Sequence, residues 1–141
     1  MKKIAKYILS YYSKLEQPIS NSQLQKILYF CWIDYYKAER KYLFNEPFIA
    51  WTLGPIVKSV YYEYCSNGGF PIFEPDVQCP DRLNKAVIDA TLKKYIGWSL
   101  NGLLEELRRT NSAWSEVFYS RGSGAVIPFE LIIQFQFKLL T

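Results

Sequence analysis

The sequence predicts a mainly α, compact single-domain helical bundle of about six helices, with a small β element near residues 47–53. Three observations carry that prediction. Apolar residues recur at three- and four-residue spacing through most of the chain. Ser, Pro and Gly stand where helices must start and stop. One short β-favouring run, Phe48-Ile49-Ala50-Trp51-Thr52, is fenced by Asn45-Glu46-Pro47 on one side and Gly54-Pro55 on the other. With 141 residues, 50% hydrophobic, 18% aromatic and 21% charged, the chain can bury one core and is too short to build two.

The elements follow in order. Ile4, Ile8, Tyr11, Tyr12 and Leu15 form one helical stripe, so residues 2–16 read as a helix that Gln17-Pro18 ends. Ser20 followed by Gln23 matches a capping box and opens a second helix to about Arg40. Its stripe is Leu24, Ile27, Leu28, Cys31 and Tyr35. Tyr29, Phe30, Trp32, Ile33 and Tyr36 fall on its other sides, which places this helix at the centre of the fold or against a partner. After the β run, Pro55 suits the first turn of a helix to about Ser66, with Gly68-Gly69 as its stop. Residues 67–80 carry three prolines and read as a surface connection with a short extended piece at 70–73.

Asp81 is the expected cap of a helix that faces Leu83, Val87, Ile88, Thr91, Leu92 and Tyr95 inward and stops at Gly97. Ser99 opens the next, with Leu100, Leu103, Leu104 and Leu107 inside, and Ser112 caps a shorter piece through Tyr119. Residues 121–124, Arg-Gly-Ser-Gly, read as a flexible linker. The last segment alternates like a strand through Phe129, Leu131, Ile133, Phe135 and Phe137. Pro128 and a length of about a dozen residues favour a helix there.

Composition narrows the chemistry. The chain has no histidine, which excludes Ser-His-Asp and Cys-His nucleophilic sites and His-ligated metal centres. Cys31, Cys65 and Cys79 are odd in number and widely spaced, as expected of reduced thiols in a cytoplasmic protein. Neither a Walker-type nor a dinucleotide-type glycine loop is present, adjacent Glu105 and Glu106 diverge on their helix, and no cofactor is expected. No run approaches a membrane span, and the basic start lacks the apolar core of a secretory signal. Residues 1–41 hold eight basic and three acidic side chains, without the dense run that tracks a phosphate backbone. A nucleic-acid regulator using these bases and the interleaved tyrosines is therefore the weaker reading. A carboxylate, Tyr or Lys hydrolase is weaker still.

Aromatics remain. Twelve of the 36 residues from position 29 to 64 are Phe, Trp or Tyr, and the pairs Tyr11-Tyr12, Tyr35-Tyr36 and Tyr61-Tyr62 cannot each turn both rings into one core. Such residues anchor protein interfaces as readily as they fill interiors.

Two blocks carry a resemblance: Leu24-Gln25-Lys26-Ile27-Leu28-Tyr29-Phe30, and Ala50-Trp51-Thr52-Leu53-Gly54-Pro55-Ile56-Val57 followed by Val60-Tyr61. Together they resemble the Panacea antitoxin domain, the Soc-type or phage-associated family of toxin–antitoxin operons and prophages. The likeness continues through Leu100, Leu103 and Leu107 to Trp114, Ile127 and Glu130. Thr52-Leu53 departs from the Lys-Tyr common in the family, and Thr110-Asn111 from its Thr-His pair, where the Asn111 amide would have to replace the imidazole. Some relatives add a DNA-binding segment, for which this chain has no room. The resemblance implies a non-enzymatic, cytoplasmic antitoxin that binds and neutralises a co-encoded toxin, with a second role as adaptor to a cellular protease open. It assigns Leu24, Gln25, Lys26, Leu28, Phe30, Ala50 and Trp114 to the scaffold. The expected contact patch is exposed aromatics of the second helix and the turn after the β run: Tyr29, Trp32, Tyr36, Trp51, Gly54, Pro55 and Tyr61.

Overall fold

A computed structural model describes residues 1–109 and 112–137. The first helix, α1 (Lys2–Lys14), buries Ile4, Ile8, Leu9 and Tyr12. Leu15, expected on its inner stripe, falls past the last turn and is 43% exposed. In α2 (Asn21–Glu39) the expected capping box forms. Ser20 Oγ accepts from the Gln23 N–H at 3.2 Å, and Gln23 Oε1 accepts from the Ser20 N–H at 2.8 Å. Arg40 closes the helix in the left-handed region, φ 56°.

The chain then turns into β1 (Phe48–Trp51) and β2 (Gly54–Val57), an antiparallel hairpin whose register runs from Phe48↔Val57 to Trp51↔Gly54. Only Thr52 and Leu53 lie in the loop. After it come α3 (Lys58–Tyr64), a 3-10 turn at Cys65–Asn67, α4 (Lys85–Lys94), α5 (Leu100–Arg109), α6 (Ala113–Arg121), β3 (Val126–Ile127) and α7 (Phe129–Phe137). The sheet order is β2-β1-β3, all antiparallel. α2 runs through the middle and packs on α1, α3, α4, α5, α7 and β2. Every residue from Leu24 to Ile33 is buried, so its all-round apolar character marks the centre of the fold.

Several local expectations are corrected. Pro55 does not start a helix; it lies in β2, an edge strand where its missing N–H costs no ladder bond, opposite Ala50. The helix begins three residues later, and the Glu46 carboxylate accepts from the Ser59 N–H at 3.0 Å in its first turn. Asp81 does not cap α4. Asn84 does the positioning instead, its N–H donating to the Tyr35 hydroxyl at 3.0 Å and its amide to Glu39 at 2.7 Å, so the helix starts where α2 holds the chain.

Residues 121–124 are no loose linker. The Gly124 N–H donates to the Ala50 carbonyl at 2.7 Å and the Ala50 N–H to the Ala125 carbonyl at 2.8 Å, continuing the β1–β3 ladder. The extended piece at 70–73 appears as a single bridge, Ile72 to Ile19. Ser99 and Ser112 cap as expected, accepting from Gly102 and Ser115. The final segment is helical, as Pro128 signals, over Phe129–Phe137. Thr110, Asn111 and residues 138–141 lie outside the described residues, and with them the expectation placed on the Asn111 amide.

Candidate functional site

The two motif blocks meet where the first turns of α2 lie against the hairpin. Gln25, 1% exposed, accepts the Val57 N–H at 2.8 Å through Oε1 and donates through Nε2 to Asn21 Oδ1 at 2.9 Å. Asn21 in turn donates to the Tyr61 carbonyl at 3.0 Å. One relay of side-chain amides thereby ties α2 to the edge strand and to α3, and satisfies buried backbone groups that no sheet neighbour reaches. From the other side, the Trp114 indole N–H donates to the Trp51 carbonyl at 2.7 Å. The last residue of β1 is held by a tryptophan 63 positions away.

Gly54 completes the reversal at φ 124°, a conformation a side chain resists. Space is tight as well. A Cβ there would come 2.9 Å from Leu107 Cδ2 and 3.8 Å from Lys26 Cε and Nζ. The turn and Lys26 border a pocket of about 260 Å³ whose walls include Lys26, Trp51, Leu53, Ile56 and Tyr61. Trp51 meets Tyr61 edge to face, centroids 4.6 Å apart, a packing that fixes both rings. Leu53 at the tip is 55% exposed and Tyr62 beside Tyr61 is 56% exposed.

Lys26 is the unusual member. It is 3% exposed, its ammonium lies 3.4 Å from the Ser22 carbonyl, and burial pulls its pKa from 10.5 down to about 8, because desolvation disfavours the charged form. The signal for it is present in the sequence: a helix apolar all round its middle leaves a lysine on its second turn little route to water.

The expected contact patch is therefore only partly assembled. Trp51 and Tyr61 are half-exposed and adjoin, whereas Gly54 and Pro55 are buried. Tyr29 and Trp32 are core, 1% and 0% exposed, which removes them from any contact surface. Tyr29 packs edge to face on Phe48, and Trp32 stacks on Phe129 while its indole donates to the Phe44 carbonyl. Their sides of α2 are covered by β1 and α7, elements distant in sequence. Tyr36 is half-exposed, but it lies ten residues beyond Lys26, about 15 Å along the helix at the usual α-helical rise. It joins a separate aromatic group with Trp32, Tyr42 and Phe137 under the Arg40 guanidinium. The expected patch omits Leu53, Tyr62 and the Asn21–Gln25 relay, although an exposed ring in the Tyr61-Tyr62 pair is among the expectations and Tyr62 supplies it.

A second, larger cleft of about 600 Å³ separates α1 from residues 76–85. Of its ionisable groups, Lys14 pairs with Asp76, and Tyr7 and Lys85 both reach Asp89, the hydroxyl donating to one carboxylate oxygen and the ammonium to the other. Among the described residues no cluster of three Cys, Asp or Glu side chains could hold a metal ion, and no helix is long and apolar enough to cross a membrane. Cys31 is buried, and burial pushes its thiol up.

Fold and site together define a histidine-free, mainly α domain that presents a braced β-hairpin beside a buried lysine. The chain belongs to the antitoxin SocA-like, Panacea domain family, whose profile matches residues 24–97, slightly more than half of it. That stretch holds nearly all of α2, the hairpin, α3 and α4, whereas Trp114 lies beyond it. No curated protein and no solved structure matches the chain.

Proposed function

We propose that this protein is an antitoxin that binds a co-encoded toxin directly and neutralises it without catalysis, using the hairpin tip and its pocket as the contact surface. The family membership carries the toxin–antitoxin reading. The surface is supported by one arrangement: Trp51, Leu53, Tyr61 and Tyr62 form an apolar, partly exposed patch on a backbone locked by Gln25, Asn21 and Trp114. A rigid platform bearing aromatic rings loses little freedom on binding, which is how such anchors yield affinity.

The nucleic-acid reading draws less support. Of the eight basic side chains in residues 1–41, Lys26 is buried, Lys2 and Lys14 pair with Glu63 and Asp76, and Arg40 lies over Tyr36 and Phe137. Phosphate tracks need free cations in a row.

Co-expression with the neighbouring open reading frame tests the proposal. The expected result is relief of that neighbour's toxicity and a complex that co-purifies. A toxic neighbour that is neither bound nor relieved refutes it. Loss of the toxin from cells only when a protease is intact would assign the adaptor role instead of steric neutralisation.

A further inference from the structure

Lys26 is the single charged side chain on the wall of the hairpin pocket, and among the described residues it has no acidic partner. The ammoniums of Lys2, Lys14, Lys85 and Lys94 all reach carboxylates, on Glu63, Asp76, Asp89 and Asp34. Lys26 reaches one carbonyl, that of Ser22, at a long 3.4 Å. An ammonium has three donors, and a buried one left short of acceptors is costly. The other polar side chains on the pocket wall, Ser22, Gln25, Thr52, Tyr61 and Ser123, are all neutral. The fold thus holds a cation ready beneath an aromatic rim and supplies no anion for it. Desolvation, which draws Lys26 down to about 8, is the electrostatic face of the same deficit.

We infer that the pocket receives one carboxylate from a protein partner, which pairs with Lys26 while the apolar residues flanking it lie against Trp51, Leu53 and Tyr61. One buried unit of positive charge matches one carboxylate. A nucleic acid would bring a row of phosphates that a single sunken ammonium cannot match, and the remaining wall is apolar or neutral. The inference rests on the antitoxin reading for naming that partner as the toxin, though not for the carboxylate itself. Burying the pair in an apolar rim makes it sensitive to loss of either member.

Two measurements on the full chain test it. Nuclear magnetic resonance follows the Lys26 side-chain and Trp51 indole signals during titration with three peptides. These are acetylated and amidated Leu-Glu-Leu, its Leu-Gln-Leu counterpart, and acetylated Leu-Leu with a free carboxyl terminus. Movement with a carboxylate peptide, absent with the Gln peptide and absent in Lys26→Met, is expected, and which carboxylate peptide acts tells side chain from chain end. Signals that stay still, or that move equally with all three, overturn the proposal. Separately, Lys26→Met, with its circular dichroism spectrum unchanged, should bind the toxin at least tenfold more weakly than the wild type, and equal affinity overturns the proposal. If the wild type binds no toxin, the antitoxin reading falls by itself and the peptide titration still decides the pocket.

Discussion

Lys26 is where the energetics of this molecule are most exposed to measurement. A lysine whose pKa falls from 10.5 to about 8 on folding holds its charge at a cost of about 3 kcal/mol at neutral pH. The sign follows from proton counting. Between pH 8 and 10.5 the unfolded chain carries the proton and the folded chain releases it, so this residue's contribution to stability rises with pH there. The penalty is full below about 8 and gone above 10.5. Lys26→Met should therefore be more stable to unfolding than the wild type at about pH 7, by up to about 3 kcal/mol, with the gap closing as pH approaches about 10. Buried tyrosines such as Tyr12 and Tyr64, raised above 10.0 by burial, act in the opposite direction at higher pH but are common to both proteins. A gap that does not change with pH would contradict the burial of a charged Lys26. A substitution that strengthens the fold while weakening toxin binding would mark a residue whose role lies outside stability.

At the scale of elements, the hairpin stands because α2 supplies what its sheet does not. β2 is an edge strand, and its Val57 N–H turns away from β1 to the Gln25 amide. Gln25→Leu keeps the volume roughly constant and leaves that buried N–H, and the Asn21 Oδ1, without the Gln25 partner each has now. The expected cost is about 1–3 kcal/mol, read as a lower urea midpoint with an unchanged slope. A neutral outcome would mean that the relay is ornamental.

The same element shows what can be read in advance and what cannot. Gly54-Pro55 is visible as a boundary, and the strand before it lies where its composition places it. Taking Pro55 as a helix start fails because an edge strand accepts proline as readily as a first helical turn does, and edge position is a property of the sheet. α2 is legible end to end, since its capping box and all-round apolar middle are local signals. Which of its aromatics stay wet is not legible. Tyr29 and Trp32 are covered by β1 and α7, and nothing within α2 announces those neighbours.

Across the described residues, the hairpin tip proposed as the contact surface differs from the other exposed features. Paired charges close the cleft beside α1, and the aromatic group at the far end of α2 is capped by Arg40. Phe70 and Phe73 are exposed on the connection between the 3-10 turn and α4, but no buried, unmatched charge accompanies them in the way Lys26 accompanies the hairpin tip. Among the described residues, only at that tip do apolar exposure, backbone rigidity and an unmet cation coincide.

The most direct test of that account is calorimetric titration of the purified toxin into the wild type and into Leu53→Asp. Leu53 is exposed at the loop, so the substitution spares the core and sets a carboxylate at the rim of the Lys26 pocket. Binding by the wild type and a loss of tenfold or more in Leu53→Asp is the predicted result. Equal affinity of the two proteins would place the toxin elsewhere on the molecule and contradict the account.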